Sequence, residues 1–160
     1  MKPLAIFLVL CVLAALVGVG WFFFNSNLTV SYVSCVATDP ATQPDFFSEL
    51  KGSVESGSFV GTRYSQAPLS GPEDCLFYTW TVHLENKTAL PVNVIEMQVT
   101  PMTGDILLIG DPAEHTLDAR SETDLSVTML TAREKHSVRE AVVTWYVWGL
   151  PFSTRLTLGR

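Results

Sequence analysis

Catalytic and metal sites usually rest on a few reactive side chains at defined spacings, and this chain shows none of the familiar spacings. Its three histidines, His83, His115 and His136, have neither a His-x-x-x-His spacing nor a Cys-x-x-Cys companion, so nothing indicates a zinc site. No Gly-x-Ser-x-Gly turn and no glycine-rich phosphate loop occurs. We therefore expect no enzyme, no metal and no cofactor. A hydrolase with a dispersed site is the least favoured alternative.

Two cysteines, Cys35 and Cys75, lie outside the apolar N-terminal segment and are candidates for a disulfide if this part of the chain is exported. A bridge between them would close a loop of about 40 residues and stabilise the fold by roughly 4 kcal/mol. One observation opposes the pairing. An odd number of positions separates Cys75 from Trp80, so an ideal strand would direct Cys75 away from the core.

Aromatic residues near the C-terminus are the best candidates for a contact surface. In a strand whose Trp145 faces the core, Tyr146 and Trp148 point outward, and Phe152 follows shortly after them. Aromatic side chains bury a large surface area on binding and lose little conformational entropy. We predict that Tyr146, Trp148 and Phe152 contact a protein partner, a glycan or the membrane surface. The alternative is that a loop or a second sheet covers them.

The segment from Pro3 to Phe24 carries no charged side chain. As a helix it would reach roughly 33 Å, enough to cross a hydrocarbon core of about 30 Å. Signal peptides have a shorter apolar region and small residues at its exit, whereas this segment ends in Trp21-Phe22-Phe23-Phe24. We therefore predict an uncleaved transmembrane anchor over residues 1–24 and one folded domain over residues 25–160.

Basic residues next to the span predict its orientation. Lys2 precedes it, and the next basic residue is Lys51, so the N-terminus is expected in the cytosol and the domain outside the plasma membrane. Within the span, Ala14 and Gly18 form a small-xxx-small pair that would let two helices approach closely. The expected partners are thus the membrane, crossed once, and a protein of the cell envelope, with a homo-oligomer as an open alternative.

The domain is acidic. Nine basic and sixteen acidic residues follow the span, a formal charge of −7, which argues against nucleic acid and anionic lipid as partners. Acidic residues gather between Asp105 and Asp124 without the spacing of a calcium loop, so a solvated rim is expected. His83 and the segment 131–140 are likewise expected at the surface. Asn27-Leu28-Thr29 and Asn86-Lys87-Thr88 match the N-glycosylation pattern.

Alternation of apolar and polar residues predicts an all-β domain. The strand candidates are Thr29–Ala37, Ser58–Tyr64, Cys75–Glu85, Val92–Thr100, Ile106–Ile109, a run around Val127, Ala141–Trp148 and Phe152–Leu158. The helix candidate after the span is Pro44–Leu50, ended by Gly52. This pattern predicts two antiparallel sheets packed as an immunoglobulin-like sandwich, with a jelly-roll-like arrangement as the alternative.

One part of the domain is similar to a known kind of β-domain. It consists of the segment Phe77-Tyr78-Thr79-Trp80-Thr81-Val82-His83-Leu84-Glu85-Asn86-Lys87-Thr88, followed by Pro91-Val92-Asn93-Val94. It resembles the strand, Asn-containing turn and strand of small immunoglobulin-like and late-embryogenesis-abundant-type β-domains that lie outside bacterial membranes. The resemblance implies a binding or spacing module of the cell envelope and transfers no catalytic residue. The alternative is an accessory subunit of a membrane complex, recruited through its transmembrane helix.

Overall fold

The computed structural model describes residues 2–25, 27–110 and 115–159. Helix α1 (Lys2–Asn25) comes first, and a β-rich part with one further α-helix follows it. The elements after α1 are β1 (Leu28–Thr38), α2 (Pro44–Ser56), β2 (Thr62–Arg63), β3 (Cys75–Asn86), β4 (Val92–Val99), β5 (Asp105–Gly110), β6 (His115–Leu117), β7 (Glu122–Ala132), β8 (Arg139–Val147) and β9 (Leu150–Leu158), with short 3-10 turns at Pro40–Thr42 and Pro72–Asp74.

Helix α1 is apolar on all sides. Residues 3–19 are exposed throughout, and the stretch Pro3–Phe22 is long and apolar enough to cross a membrane. A helix without a polar face has no single stripe with which to pack on a soluble core. Its length and composition are those of a membrane-spanning helix, and a signal sequence shares both properties.

The strands form two antiparallel sheets. The first has the order β1-β3-β7-β5-β2, and the second has the order β6-β4-β8-β9. Neighbouring strands are antiparallel in both. The prediction of a β-rich domain with two antiparallel sheets is confirmed, although the predicted strand Ser58–Tyr64 shrinks to the two residues of β2.

Both sheets contribute to one apolar core. The predicted alternation is confirmed in β3, β7 and β8, where every second side chain is buried against the other sheet. The residues of these strands that face the core are Tyr78, Trp80, Val82, Leu84, Leu125, Val127, Met129, Ala141, Val143, Trp145 and Val147.

A second apolar cluster lies on the opposite face of the first sheet. Cys75 and Phe77, whose parity in β3 is opposite to that of Trp80, are buried together with Phe47 and Leu50 of α2. An amphipathic helix therefore covers the end of this face, and Cys75 is directed into that second cluster.

Helix α2 is longer than the sequence predicts. It begins at Pro44, as expected, but it continues through Gly52 and ends at Gly57, whose φ of 74° places it in the left-handed conformation of a helix cap. The prediction that Gly52 ends the helix is wrong, because a glycine in a helical interior only weakens the helix by about 1 kcal/mol.

Strand β4 departs from simple alternation. Its register with β8 shifts between Asn93 and Ile95, and Val94 between them has a φ of 49°. Val92 and Ile95 are both buried, while Asn93 is exposed. A β-bulge inserts one extra residue and so reverses the parity of a strand. Simple alternation would place Asn93 and Ile95 on one face, and the bulge puts them on opposite faces.

The predicted Cys35–Cys75 disulfide is corrected by the structure, in which both cysteines are free thiols. Cys35 lies opposite Trp80, five positions along β3 from Cys75. Five residues of strand span about 16 Å, whereas the Cα atoms of a disulfide lie within about 7 Å of each other. Burial raises the pKa of both thiols, which disfavours the reactive thiolate.

An ion pair joins the two sheets at the end of β8 remote from its hairpin. The Arg139 guanidinium donates from Nε to Oδ2 of Asp105 at 2.9 Å and from Nη2 to Oδ1 at 2.5 Å, and both side chains are buried. Its Nη1 donates to the carbonyls of His136 and Val138. The expected solvated rim is therefore wrong for Asp105. Asp111 and Glu114 of that rim lie outside the described residues.

Candidate functional site at the C-terminal end of helix α1

The C-terminal end of α1 lies against the β-rich part of the chain. Phe22 stacks on Trp148, with ring centroids 4.6 Å apart and an interplanar angle of 9°. Phe22 also packs on the core shared by the two sheets. Beside this contact is a cleft of about 320 Å³, the helix-end cleft, which is lined by Trp21, Phe22, Lys87, Thr88, Ala89, Leu90 and Arg120.

Asn86, at the end of β3, holds the walls of this cleft together. Its side chain is fully buried, and Nδ2 donates to the carbonyl oxygens of Leu90 at 2.7 Å, Asp118 at 3.0 Å and Leu117 at 3.4 Å. Its Oδ1 accepts from the backbone N–H of Thr88 at 3.1 Å and from the Thr88 hydroxyl at 2.7 Å. One side chain thus joins the β3–β4 loop to the turn that precedes β7.

This network gives the triplet Asn86-Lys87-Thr88 a structural role. Because Nδ2 of Asn86 is buried and donates to backbone carbonyls, a glycan on this nitrogen is incompatible with the fold. N-glycosylation, which the sequence pattern of this triplet would allow, is therefore ruled out by the structure. An Asn followed two residues later by Thr at a strand end is also the pattern of a side-chain-capped turn, and that signal would have predicted the outcome.

Two cationic side chains, those of Lys87 and Arg120, line the cleft. The backbone N–H of Arg120 donates to the carbonyl of Thr88 at 3.2 Å, which fixes the turn that carries the guanidinium. The Nζ of Lys87 lies 3.2 Å from Oε2 of Glu85 in an exposed ion pair, a type that contributes little to stability. The Arg120 guanidinium forms no ion pair with the residues that the structure describes.

The β8–β9 hairpin brings an exposed ring to the same place. Its turn consists of Trp148 and Gly149, whose φ angles of 52° and 77° indicate the turn type that matches the twist of a hairpin. Asn, Asp or Gly is favoured at the first position, because other side chains are strained in this conformation. The Trp148 ring is nevertheless 69% exposed. A strained backbone conformation at a residue with an exposed side chain indicates that the side chain itself has a function.

The three aromatic residues predicted as a contact surface have different environments. Trp148 is exposed and lies on Phe22, whereas Tyr146 is half-buried on the side of β8 opposite to Trp145. Phe152 stacks on Trp145, with centroids 6.2 Å apart, and packs on the core. Its ring is therefore directed inward, and a contact role stays a prediction for Tyr146 and Trp148.

The predicted packing pair of helix α1 is uncovered. Ala14 and Gly18 are both exposed, and a Cβ built on Gly18 would meet no atom within 4 Å. Helix pairing through these positions stays a prediction.

His83 lies in a polar cluster on the outer face of the first sheet. Its ring stacks on Tyr32 at 4.9 Å, Nδ1 is 2.6 Å from Oδ1 of Asp124, and Nε2 is 3.4 Å from Oε2 of Glu122. The hydrogen bond to Asp124, followed by that to Glu122, raises the pKa of His83. No cluster of three or more metal-ligand side chains is found in the described part of the chain.

No protein-family model matches this chain, and a comparison with curated proteins finds no significant match. Its function is therefore inferred from its own geometry.

Proposed function

We propose that this chain is a single-pass membrane protein of the plasma membrane whose β-domain is a non-enzymatic binding or spacing module on the extracytoplasmic side. The contact between Phe22 and Trp148 is the observation that carries the proposal, because it joins the last turn of the apolar helix directly to the domain. The exposed apolar surface of α1 supports lipid as its surroundings, since so large a patch is unfavourable in water.

The order of the strands supports an immunoglobulin-like arrangement over a jelly roll. Strands β1, β3, β7 and β5 correspond to A, B, E and D of such a sandwich, and β6, β4, β8 and β9 correspond to C′, C, F and G. Two features depart from the pattern. β5 precedes β6 in the chain, whereas C′ precedes D in a variable-type domain, and the short β2 extends the first sheet beyond β5. Domains of this kind carry many functions, so a binding role has to rest on the site.

Exposed tryptophan side chains near the C-terminal end of α1 support contact between the domain and the membrane surface. Trp21 lies on the helix itself and Trp148 stacks on Phe22, and both tryptophans are exposed. Tryptophan favours the boundary between hydrocarbon and headgroups, because its ring is amphipathic. Lys2 before the span, with no basic residue after it until Lys51, supports a cytosolic N-terminus.

Topology and anchoring are tested together in intact cells that carry a C-terminal epitope tag. We expect added protease to remove the tag without lysis, because the domain lies outside, and alkaline carbonate to leave the protein in the membrane. Mature protein that begins after residue 24, or a tag that is cut only after lysis, would contradict the proposal.

An accessory subunit recruited through its helix is the second candidate, because Ala14 and Gly18 are exposed on α1. Replacing residues 3–20 by an unrelated apolar sequence, while keeping Trp21 and Phe22, separates the two candidates. A binding domain keeps its co-purifying partner in this variant, whereas an accessory subunit loses it. Trp148→Ala is the matched variant in the domain, and it should reduce partner binding without unfolding the protein.

A further inference from the structure

We propose that the helix-end cleft binds the phosphate of a phospholipid headgroup from the leaflet around the outer end of α1. This inference rests on the proposed membrane anchoring, and it adds a specific ligand to the end of the domain that faces the membrane.

The position of the cleft along the helix places it at the level of the headgroups. Trp21 and Phe22 line it, and Phe22 is the last residue of the apolar stretch Pro3–Phe22. An apolar helix of this length ends where the hydrocarbon core, about 30 Å thick, gives way to the polar interface. A lipid next to α1 therefore presents its phosphate at the height of the cleft.

The lining of the cleft matches the chemistry of that part of a lipid. Ala89, Leu90 and the two rings offer apolar surface to the glycerol and the first acyl carbons, while Lys87 and Arg120 offer positive charge. A guanidinium presents paired N–H donors that fit phosphate oxygens, and an ammonium adds a second charge.

The charge of the remaining domain favours one specific site over general adsorption. Apart from Lys87 and Arg120, sixteen acidic residues stand against seven basic ones, so most of the domain would repel an anionic surface. Lys87 and Arg120 line a single cleft beside the helix, so attraction to a phosphate is local. The expectation that the acidic charge disfavours anionic lipid headgroups thus applies to the domain surface as a whole and not to this cleft.

The walls of the cleft are fixed before a ligand arrives. Asn86 ties the β3–β4 loop to the turn before β7, and the Arg120 N–H is bound to the carbonyl of Thr88. Little backbone ordering is therefore needed on binding, which favours affinity for a small headgroup.

The test uses the full chain in detergent, with lipid binding followed by native mass spectrometry. Three probes are compared: a phosphatidylglycerol, a glycosyl diacylglycerol with the same acyl chains and no phosphate, and inorganic phosphate. We expect one phosphatidylglycerol to be retained and the other two probes to bind at least about tenfold more weakly, as expected when a charge-assisted contact is lost.

Charge removal identifies the site. A cation near a lipid surface contributes about 1 kcal/mol, so Lys87→Gln or Arg120→Gln should weaken binding about fivefold and the double variant about 25-fold. Lys87→Arg should keep the affinity. The matched control is Lys135→Gln with Arg155→Gln, which removes the same charge from two exposed positions outside the cleft and should leave binding unchanged.

Each other outcome overturns the proposal. If the control variant loses as much affinity as the cleft variants, the attraction is diffuse. If the glycolipid is retained as well as phosphatidylglycerol, the protein binds acyl chains only. If inorganic phosphate binds as tightly as the lipid, the cleft is a site for free anion. Extraction of the same variants with alkaline carbonate distinguishes failure of the lipid site from failure of the membrane anchor. Retention of all of them in the membrane supports the anchor even if the lipid site fails, whereas release of the wild-type protein contradicts the anchor itself.

Discussion

Asn86 is the residue on which the helix-end cleft depends most directly. Its amide group serves two loops at once, and it occupies a position with no exposed surface. A buried polar group in such a network stabilises the fold because its partners would otherwise lose their hydrogen bonds away from water. Arg139 and Asp105 play the corresponding role at the other end of the sheets.

Replacing Asn86 by Ala should therefore lower the free energy of unfolding by about 3 kcal/mol, because buried carbonyl groups lose their donor. Denaturant titration of the full chain in detergent, followed by tryptophan fluorescence, measures this change. Asn93→Ala is the control at an exposed amide and should change stability by less than about 0.5 kcal/mol. Equal effects of the two substitutions would contradict the role assigned to Asn86.

His83 should make the stability of the protein depend on pH. Asp124 and Glu122 raise its pKa in the folded state, so the folded protein favours the protonated ring. This contribution is complete below the ordinary pKa of histidine and is lost as the pH rises through the raised folded-state pKa. The melting temperatures of the wild type and His83→Gln should differ more at about pH 5.5 than at about pH 8.5.

Asp124→Asn is the companion variant for this pH series. It removes the acceptor that raises the pKa of His83 most, so the pH dependence attributed to His83 should weaken while the ring is still present. A difference between wild type and His83→Gln that stays the same across the series would contradict the assignment.

At the scale of elements, the sequence predicts strands better than it predicts their ends. The regular alternation of β3, β7 and β8 is visible in the sequence because each strand buries one face on the shared core. The bulge at Val94 and the two-residue turn at Trp148 are not visible, because both depend on a left-handed residue that is not glycine. Strand parity directs Cys75 away from the shared core. Its burial on the opposite face of the first sheet depends on α2, which covers that face.

The two glycines of α2 should respond to alanine in opposite directions. Gly52 lies inside the helix with open space around its Cα, so Gly52→Ala should raise the free energy of unfolding by about 0.5–1 kcal/mol. Gly57 caps the helix at φ 74°, so Gly57→Ala should lower it by about 1–2 kcal/mol. Chemical denaturation measures both, and effects of the same sign would contradict the helix boundaries.

At the scale of the whole molecule, the candidate site could be predicted only in part. Strand parity is a local signal and predicts Trp148 outside the core, although the structure places this residue in the turn that follows β8. The contact between Trp148 and Phe22 is not predictable from the sequence. The cleft joins α1, the β3–β4 loop and the turn at Arg120, and its stacked rings join α1 to the β8–β9 hairpin, segments that only the pairing of distant strands brings together.

The stacking of Phe22 on Trp148 predicts that α1 and the β-rich part of the chain move as one rigid body. The prediction concerns the distance between Cys11, exposed on α1, and a cysteine at the exposed position of Ser153 on β9. With Cys35 and Cys75 replaced by Ser and Ala, spin labels at the two sites should give a narrow distance distribution by pulsed electron paramagnetic resonance.

Phe22→Ala should broaden this distribution, because it removes the ring that stacks on Trp148 and leaves the chain between α1 and β1 to set the angle. Leu16→Ala removes a comparable apolar side chain from an exposed position within α1 and should leave the distribution narrow. A wild-type distribution as broad as that of Phe22→Ala would show that the β-rich part of the chain moves freely relative to α1. In that case the helix-end cleft would lack a fixed wall, and the proposed lipid site would lose its structural basis.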